Sequence, residues 1–473
     1  MKHKAMPPLA PAADRYIDWL HEACTPQHAV LACEVALRAG GFVARAFAGD
    51  LSAQPGERLY VVHPDGKSLV ALVVGERSPC ATGYAIVGAH TDSPDLRLRL
   101  NPLHSAAGTV QLTTQFHGGL IRRSWLDRPL GLAGTVFQVV RNAAGAPQFN
   151  PLTGQPLLQR HLVRVDEPLA IIPDLAIHLD REKNEKGAVN PQTALNAVLA
   201  SGDDAKAMMR LLSDRAGVEL DAADGFDLHL VPLQKPQRVG LDRSLVVGAR
   251  HDDLAMVWCG LDALLQSVTR APTPTRTRVA AFFDAEETGS TTASGAASSF
   301  LRDVLVRLAR HHPDTRGADP EAAFAQTVCL SADMAHAQHP NFPDLHDKHH
   351  APLINQGIVV KANTADRYAT TGETAALLAG LCEAAQVPLQ AFVMRQDLTC
   401  GTTIGPIVAA SLAARTVDLG CPMWAMHSSA ETLGAADLQA MVAVMRTFFV
   451  GGVGQNPRLD SAADTDLGCN PRS

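Results

Sequence analysis

The run VAAFFDAEETGS, residues 279–290, constrains the fold more than any other part of the chain. Bulky apolar residues stop abruptly at Asp284, Glu286 and Glu287, and a loop of small residues follows. Burying an unpaired carboxylate is costly, so a strand that ends this way needs a place where charge is met. An open α/β sheet offers one, because sites gather outside the carboxyl ends of its strands.

The rest of the chain repeats the pattern. VGAHTDSP ends in His90 and Asp92, and GARHDDLA carries Asp252 and Asp253 just before a helical pattern. LSADMAHAQHP offers Asp333, His336 and His339, and MWAMHSSAE offers His427. A lone histidine at a strand end is more often a hydrogen-bonded loop residue, and adjacent glutamates are usually a solvated helix face. Their joint occurrence at five strand ends is what points to a site. Two histidines, two aspartates and a glutamate suit zinc or a similar divalent ion. Five ligands exceed what one catalytic zinc requires, and a carboxylate bridging two ions resolves the excess.

The surrounding texture sets the architecture. Residues 14–48 are helical in pattern and stop at paired glycines. RLYVVHPDGKSLVALVVG reads as a β-hairpin. Residues 98–245 are β-rich, with TVQLTTQF, GTVFQVV, FDLHLVPL and SLVVGA as short strands and one helical stretch around PQTALNAVLASG, residues 191–202. After residue 250, helix and strand alternate again, ending in a long helix at AADLQAMVAVMRTFFVG. This predicts an α/β sandwich formed by residues 1–97 and 246–455, a β-rich domain over 98–245, and a polar tail over 456–473.

Composition narrows the function. The 473 residues suggest about two domains. A net charge of -7 argues against a nucleic-acid surface. Prolines and charges break up the N-terminal segment, and no apolar stretch is long enough for a membrane helix. The nine scattered cysteines fit reduced thiols in a cytoplasm.

The motifs together resemble the aspartyl aminopeptidase family of zinc metallopeptidases, which remove an N-terminal acidic residue from peptides. The likeness runs from about residue 16 to 452. It rests on AHTDSPDLRL, GGLIRRSWLDRPLGLAG, AIHLDREKNEKG, FFDAEETGS, SADMAHAQHPN, KANTADRYAT, VMRQDLTCGTTIGPI and RTVDLGCPMWAMHS. The resemblance implies two Zn2+ per subunit, with Co2+ or Mn2+ as substitutes. It makes His90 and Asp333 ligands of one ion, Glu287 and His427 ligands of the other, Asp252 the bridge and Glu286 the general base. Asp92 would orient His90, while His336, Lys361 and Tyr368 would meet the substrate. His178 would reach a neighbouring subunit's site. The implied fold is an α/β peptidase domain interrupted by a β-rich dimerisation domain, assembled into a homo-dodecamer. Two departures stand out. The family's Arg-Leu-Asp-Asn-Leu reads RHDDL here, which leaves Asp253 a competitor for the bridge, and its Asp-Ser-Pro-Cys-Gly-Ser reads DLTCGT, where Cys400 is taken as structural. The alternatives are an aminopeptidase of neutral or broad specificity on the same metal site, and a non-catalytic oligomeric scaffold.

Overall fold

The computed structural model describes residues 11–202, 207–220 and 224–451, so the expected polar tail lies outside the described residues. Its centre is a nine-stranded sheet. Strand Tyr84–His90 lies in the middle, parallel to Thr277–Phe283 on one side and to Val328–Ala332 on the other. Arg415–Gly420 continues the parallel set beside Val328–Ala332. The expected hairpin forms from Arg58–Val62 and Leu69–Val73 and pairs antiparallel with Thr277–Phe283.

Both faces of this sheet are covered, which is why its strands read as nearly unbroken apolar runs. Side chains alternate between faces. Ala280 and Phe282 pack into one core with Leu254, Met256 and Leu438, while Val279, Ala281 and Phe283 pack into another with Phe300, Leu305 and Val408. Helices Pro11–Glu22, Pro26–Ala39, His251–Arg270 and Ala435–Val450 contribute to the first layer, and Phe300–His311 and Ile404–Leu412 to the second. The result is a mixed α/β fold with a three-layered body.

Between the body's strands the chain builds a closed six-stranded barrel, running from Asp95–Ala106 to Gly225–Pro232. Its own core holds Leu96, Leu112, Leu132, Val163 and Leu230. Gln237–Val239, inside the 98–245 range, pairs with Leu245–Gly248 at its edge, which pairs in turn with Glu431–Gly434 in a separate five-stranded sheet. The helix expected over residues 191–202 does not form. Ala197–Ser201 is a strand paired with Thr109–His117, and the helix comes later, at Ala207–Ala216. The ladder needed to close the barrel overrides the helical spacing of a few alanines and leucines.

Candidate metal centre

The register of the central sheet brings the polar groups together. His90 is the last residue of its strand and pairs across to Phe283, which leads into Asp284, Glu286 and Glu287. Asp333 follows Val328–Ala332 directly. Asp252 and Asp253 open the helix His251–Arg270 in non-helical conformation, with a cis peptide between them. His427 sits in the turn joining Pro422–Trp424 to Glu431–Gly434. These segments converge at the carboxyl ends of the parallel strands, as the strand order leads one to expect.

Asp252 lies at the middle of the cluster. Its Oδ1 is 3.3 Å from Nε2 of His90 and its Oδ2 is 3.4 Å from Nε2 of His427. Nε2 of His427 is also 3.2 Å from Oε1 of Glu287. His90, Asp252, Asp253 and Asp333 form one group that could hold an ion, and Asp252, Glu287 and His427 form another. Asp253 belongs to the first group only. Its Oδ2 accepts the backbone N–H of His90 at 3.1 Å.

The electrostatics of the cluster suit a cation. Oδ1 of Asp252 and Oδ1 of Asp253 are buried without a hydrogen-bond partner. Burial drives the carboxyl of Asp253 well above the ordinary range, and drives Glu286 and Glu287 up as well. Burial also opposes ionisation of Asp252, but its contacts with His427 and His90 hold it below the usual carboxylate range. Burial opposes protonation of His427 too, yet contacts with Asp252 and Glu287 push it up to about 12. Clustered carboxylates of this kind need positive charge beyond what one lysine supplies. The mixed imidazole and carboxylate set suits zinc.

A cavity of about 380 Å³ opens over the cluster, lined among others by Glu286, Asp333, His336, Lys361, Tyr368 and Phe392. Lys361 is buried, with its Nζ 3.3 Å from Asp333 and 5.3 Å from the centre of the Tyr368 ring. Burial, followed by the charge of Lys361, pushes His336 down to about 4, so its imidazole is neutral. Two expected residues lie elsewhere. His339 packs against Phe342 and does not line the cavity. His178 is exposed on the loop after barrel strand Leu158–Ile171 and does not line the cavity within one subunit.

A family model described as aminopeptidase I zinc metalloprotease (M18) matches residues 19–449. The chain belongs to this M18 family. It is a zinc metallo-aminopeptidase. The probable M18 family aminopeptidase 2 of Pseudomonas fluorescens SBW25 is 37% identical over 439 residues, covering 92% of this chain and 96% of that protein. The protein of the same description from Azotobacter vinelandii is 38% identical with the same coverage. Among solved structures, a complex of Ape4 and Nbr1 superposes with a TM-score of 0.87 at 31% identity, covering 97% of this chain and 88% of that one. The M18 aminopeptidase of Thermotoga maritima shares the fold with a TM-score of 0.78 at 24% identity, covering 94% of this chain and 97% of that one.

Asp92, already expected to orient His90, is joined by residues that sequence reading passed over, His117 and Glu431. The carboxylate of Asp92 accepts the backbone N–H of Glu286 at 3.0 Å and of Glu287 at 3.2 Å, and Nε2 of His117 donates to it at 2.8 Å. Nδ1 of His90 donates to the Asp92 carbonyl at 3.0 Å. Asp92 therefore positions three elements of the site at once. Glu431, buried, accepts the backbone N–H of Asp252 at 3.1 Å and of His427 at 2.6 Å. The barrel contributes His117, Gly118 and Gly119. Nδ1 of His427 donates to the Gly119 carbonyl at 3.1 Å, and a Cβ on Gly118 would stand 2.9 Å from Cβ of Glu287. Such outer contacts fix ligand orientation. Only the HTD and HGG spacing around them could have signalled these roles.

Proposed function

We propose that this M18 aminopeptidase removes N-terminal residues, preferably Asp or Glu, from peptides at a centre of two zinc ions, for which Co2+ or Mn2+ could substitute. One observation carries the two-ion reading: the two oxygens of Asp252 face different histidines, His90 and His427. Asp252 would bridge, His90 and Asp333 would complete one ion's set, and Glu287 and His427 the other's. When bound, the ions would supply the charge that acidifies a water and polarises a carbonyl.

The chain's own groups do the remaining work. Glu286 lies beside the cluster, with its Oε2 3.9 Å from Nε2 of His90. Burial raises its affinity for a proton, so in its ionised form it is suited to take a proton from the attacking water and return it to the leaving amine. Asp92 holds the imidazole of His90 through Nδ1 and keeps Glu286 and Glu287 in register. Tyr368 and His336 shape the cavity beside Lys361, whose ammonium would meet an acidic side chain of the substrate. His178 would enter a neighbouring subunit's site in a homo-oligomer. A yeast relative's structure is described as a dodecamer, which supports that assembly here. A cytoplasmic setting is supported by the free thiols of the described cysteines. Among the described residues, no helix is long and apolar enough to cross a membrane.

Broad specificity is the second reading, because Asp333 already neutralises Lys361 at 3.3 Å. A panel of Asp, Glu, Leu and Ala chromogenic substrates, run on the zinc-loaded enzyme and on Lys361→Ala, separates the two. The acidic reading expects Lys361→Ala to lose about tenfold or more in kcat/KM on Asp and Glu alone, the worth of one charged hydrogen bond. Equal losses across the panel would move Lys361 out of the specificity pocket.

A further inference from the structure

A second cavity, of about 220 Å³, lies where the N-terminal helix, the barrel and the segment after the barrel meet. It is lined by His21, Cys24, Arg164, Asp166, Lys235 and Arg250, among others, and shares no lining residue with the cavity at the metal centre. Cationic side chains dominate it. Arg164 is met by Asp166 at 2.8 Å and by Glu22 at 3.0 Å. Among the described residues, no carboxylate forms an ion pair with Arg250 in this way. Its Nε is buried and lacks a hydrogen bond, and burial pulls the guanidinium below its ordinary range, with repulsion from Arg164 set against attraction from Asp95 among others. Lys235 is exposed at the rim.

The histidine, thiol and carboxylate here could be read as a site for a cation, but their state argues otherwise. His21 already accepts from Nη2 of Arg164 at 3.3 Å, and Asp166 is held by the same guanidinium. Burial pushes the Cys24 thiol up to about 11, so it is neutral and a poor ligand. Three cationic side chains surround these groups. Asp166 is the one carboxylate among the lining residues, and Arg164 already takes it.

We propose that this cavity binds a small ligand through a phosphate group, held by Arg250 at its inner wall and Lys235 at its mouth. Guanidinium groups match phosphate oxygens in geometry, and an ammonium adds a point charge. The cavity has room for a phosphate and attached atoms. A narrow cleft that shares Cys24 and Arg250 leads on to Ser428 and Glu431. Glu431 holds the backbones of Asp252 and His427, so the site adjoins the support of the metal centre while standing apart from its cavity.

Calorimetric titration tests the site on the zinc-loaded protein with inorganic phosphate, and in a second arm with glycerol phosphate. Wild type, Lys235→Glu and Lys361→Ala are compared. Lys235 is exposed, so its substitution leaves the fold intact. The proposal expects Lys235→Glu to weaken phosphate binding by about tenfold or more, while Lys361→Ala stays within about twofold of wild type. Tighter binding of glycerol phosphate would make a phosphomonoester the ligand, and equal or weaker binding would make it free phosphate; both support the site. No binding to wild type would overturn it. So would binding unaffected by Lys235→Glu, whether or not Lys361→Ala weakens it, which would put the anion outside this cavity.

Discussion

At the scale of single residues, the consecutive carboxylates of Glu286 and Glu287 divide one problem between them. Glu287 Oε1 faces His427 at 3.2 Å, whereas Glu286 Oε2 faces the His90 side at 3.9 Å. Backbone N–H groups of both are tied to Asp92, so each side chain points where its proposed role requires. Glu286→Gln should keep zinc near the wild-type content and lose about 10²–10⁴ in kcat, the usual worth of a positioned proton carrier. Metal analysis and steady-state kinetics on the same preparation check this. An active Glu286→Gln enzyme would remove Glu286 from the reaction. The cluster was legible in the sequence because its members end apolar runs, where a carboxylate stands out. Glu431 was not, because it lies in a polar turn, MHSSAE, where an acidic residue is ordinary. His117 was hidden in the same way, ending a strand of mixed polar and apolar residues.

At the scale of elements, the site depends on a short piece of barrel. Strand Thr109–His117 ends in His117-Gly118-Gly119, which presses against both Glu287 and His427. Gly118 has φ +67, a conformation open to glycine at little cost. Gly118→Ala should therefore fold but shift Glu287, with metal affinity down by about 10–100-fold, as for other supports of ligands. Competition with a zinc chelator measures this. An unchanged affinity would make the contact incidental. The elements that the sequence made plain were those buried on both faces, such as Tyr84–His90 and Thr277–Phe283. Residues 191–202 were misread because Ala and Leu at helical spacing also fill a barrel strand, and the partner strand that decides between them lies about 90 residues earlier in the chain.

At the scale of the whole molecule, the barrel interrupts the α/β body between His90 and the other metal candidates. The change in texture near residue 98 was visible because alternating strands replace continuous apolar ones. The strands Gln237–Val239 and Leu245–Gly248 read as more of the same β-rich texture, since the strand that joins them to another sheet, Glu431–Gly434 beside Leu245–Gly248, is distant in sequence. His178 belongs to this scale, exposed beside Leu175, Ile177 and Leu179, which are also exposed. If it completes a neighbour's site, His178→Ala should assemble normally and turn over poorly. Dissociating and reassembling it with Glu286→Gln subunits should then restore part of the activity, with subunit exchange confirmed by native mass spectrometry. Confirmed mixed oligomers no more active than either parent would leave His178 a residue of its own barrel.

Zinc content per subunit tests the central claim most directly, measured on wild type and on Asp252→Asn after dialysis against trace zinc. An amide bridges two dications poorly, so the account predicts two zinc ions in the wild type and at most one in Asp252→Asn. A fully active wild type that saturates at one zinc, or an Asp252→Asn protein that keeps two while Asp253→Asn loses them, would contradict it.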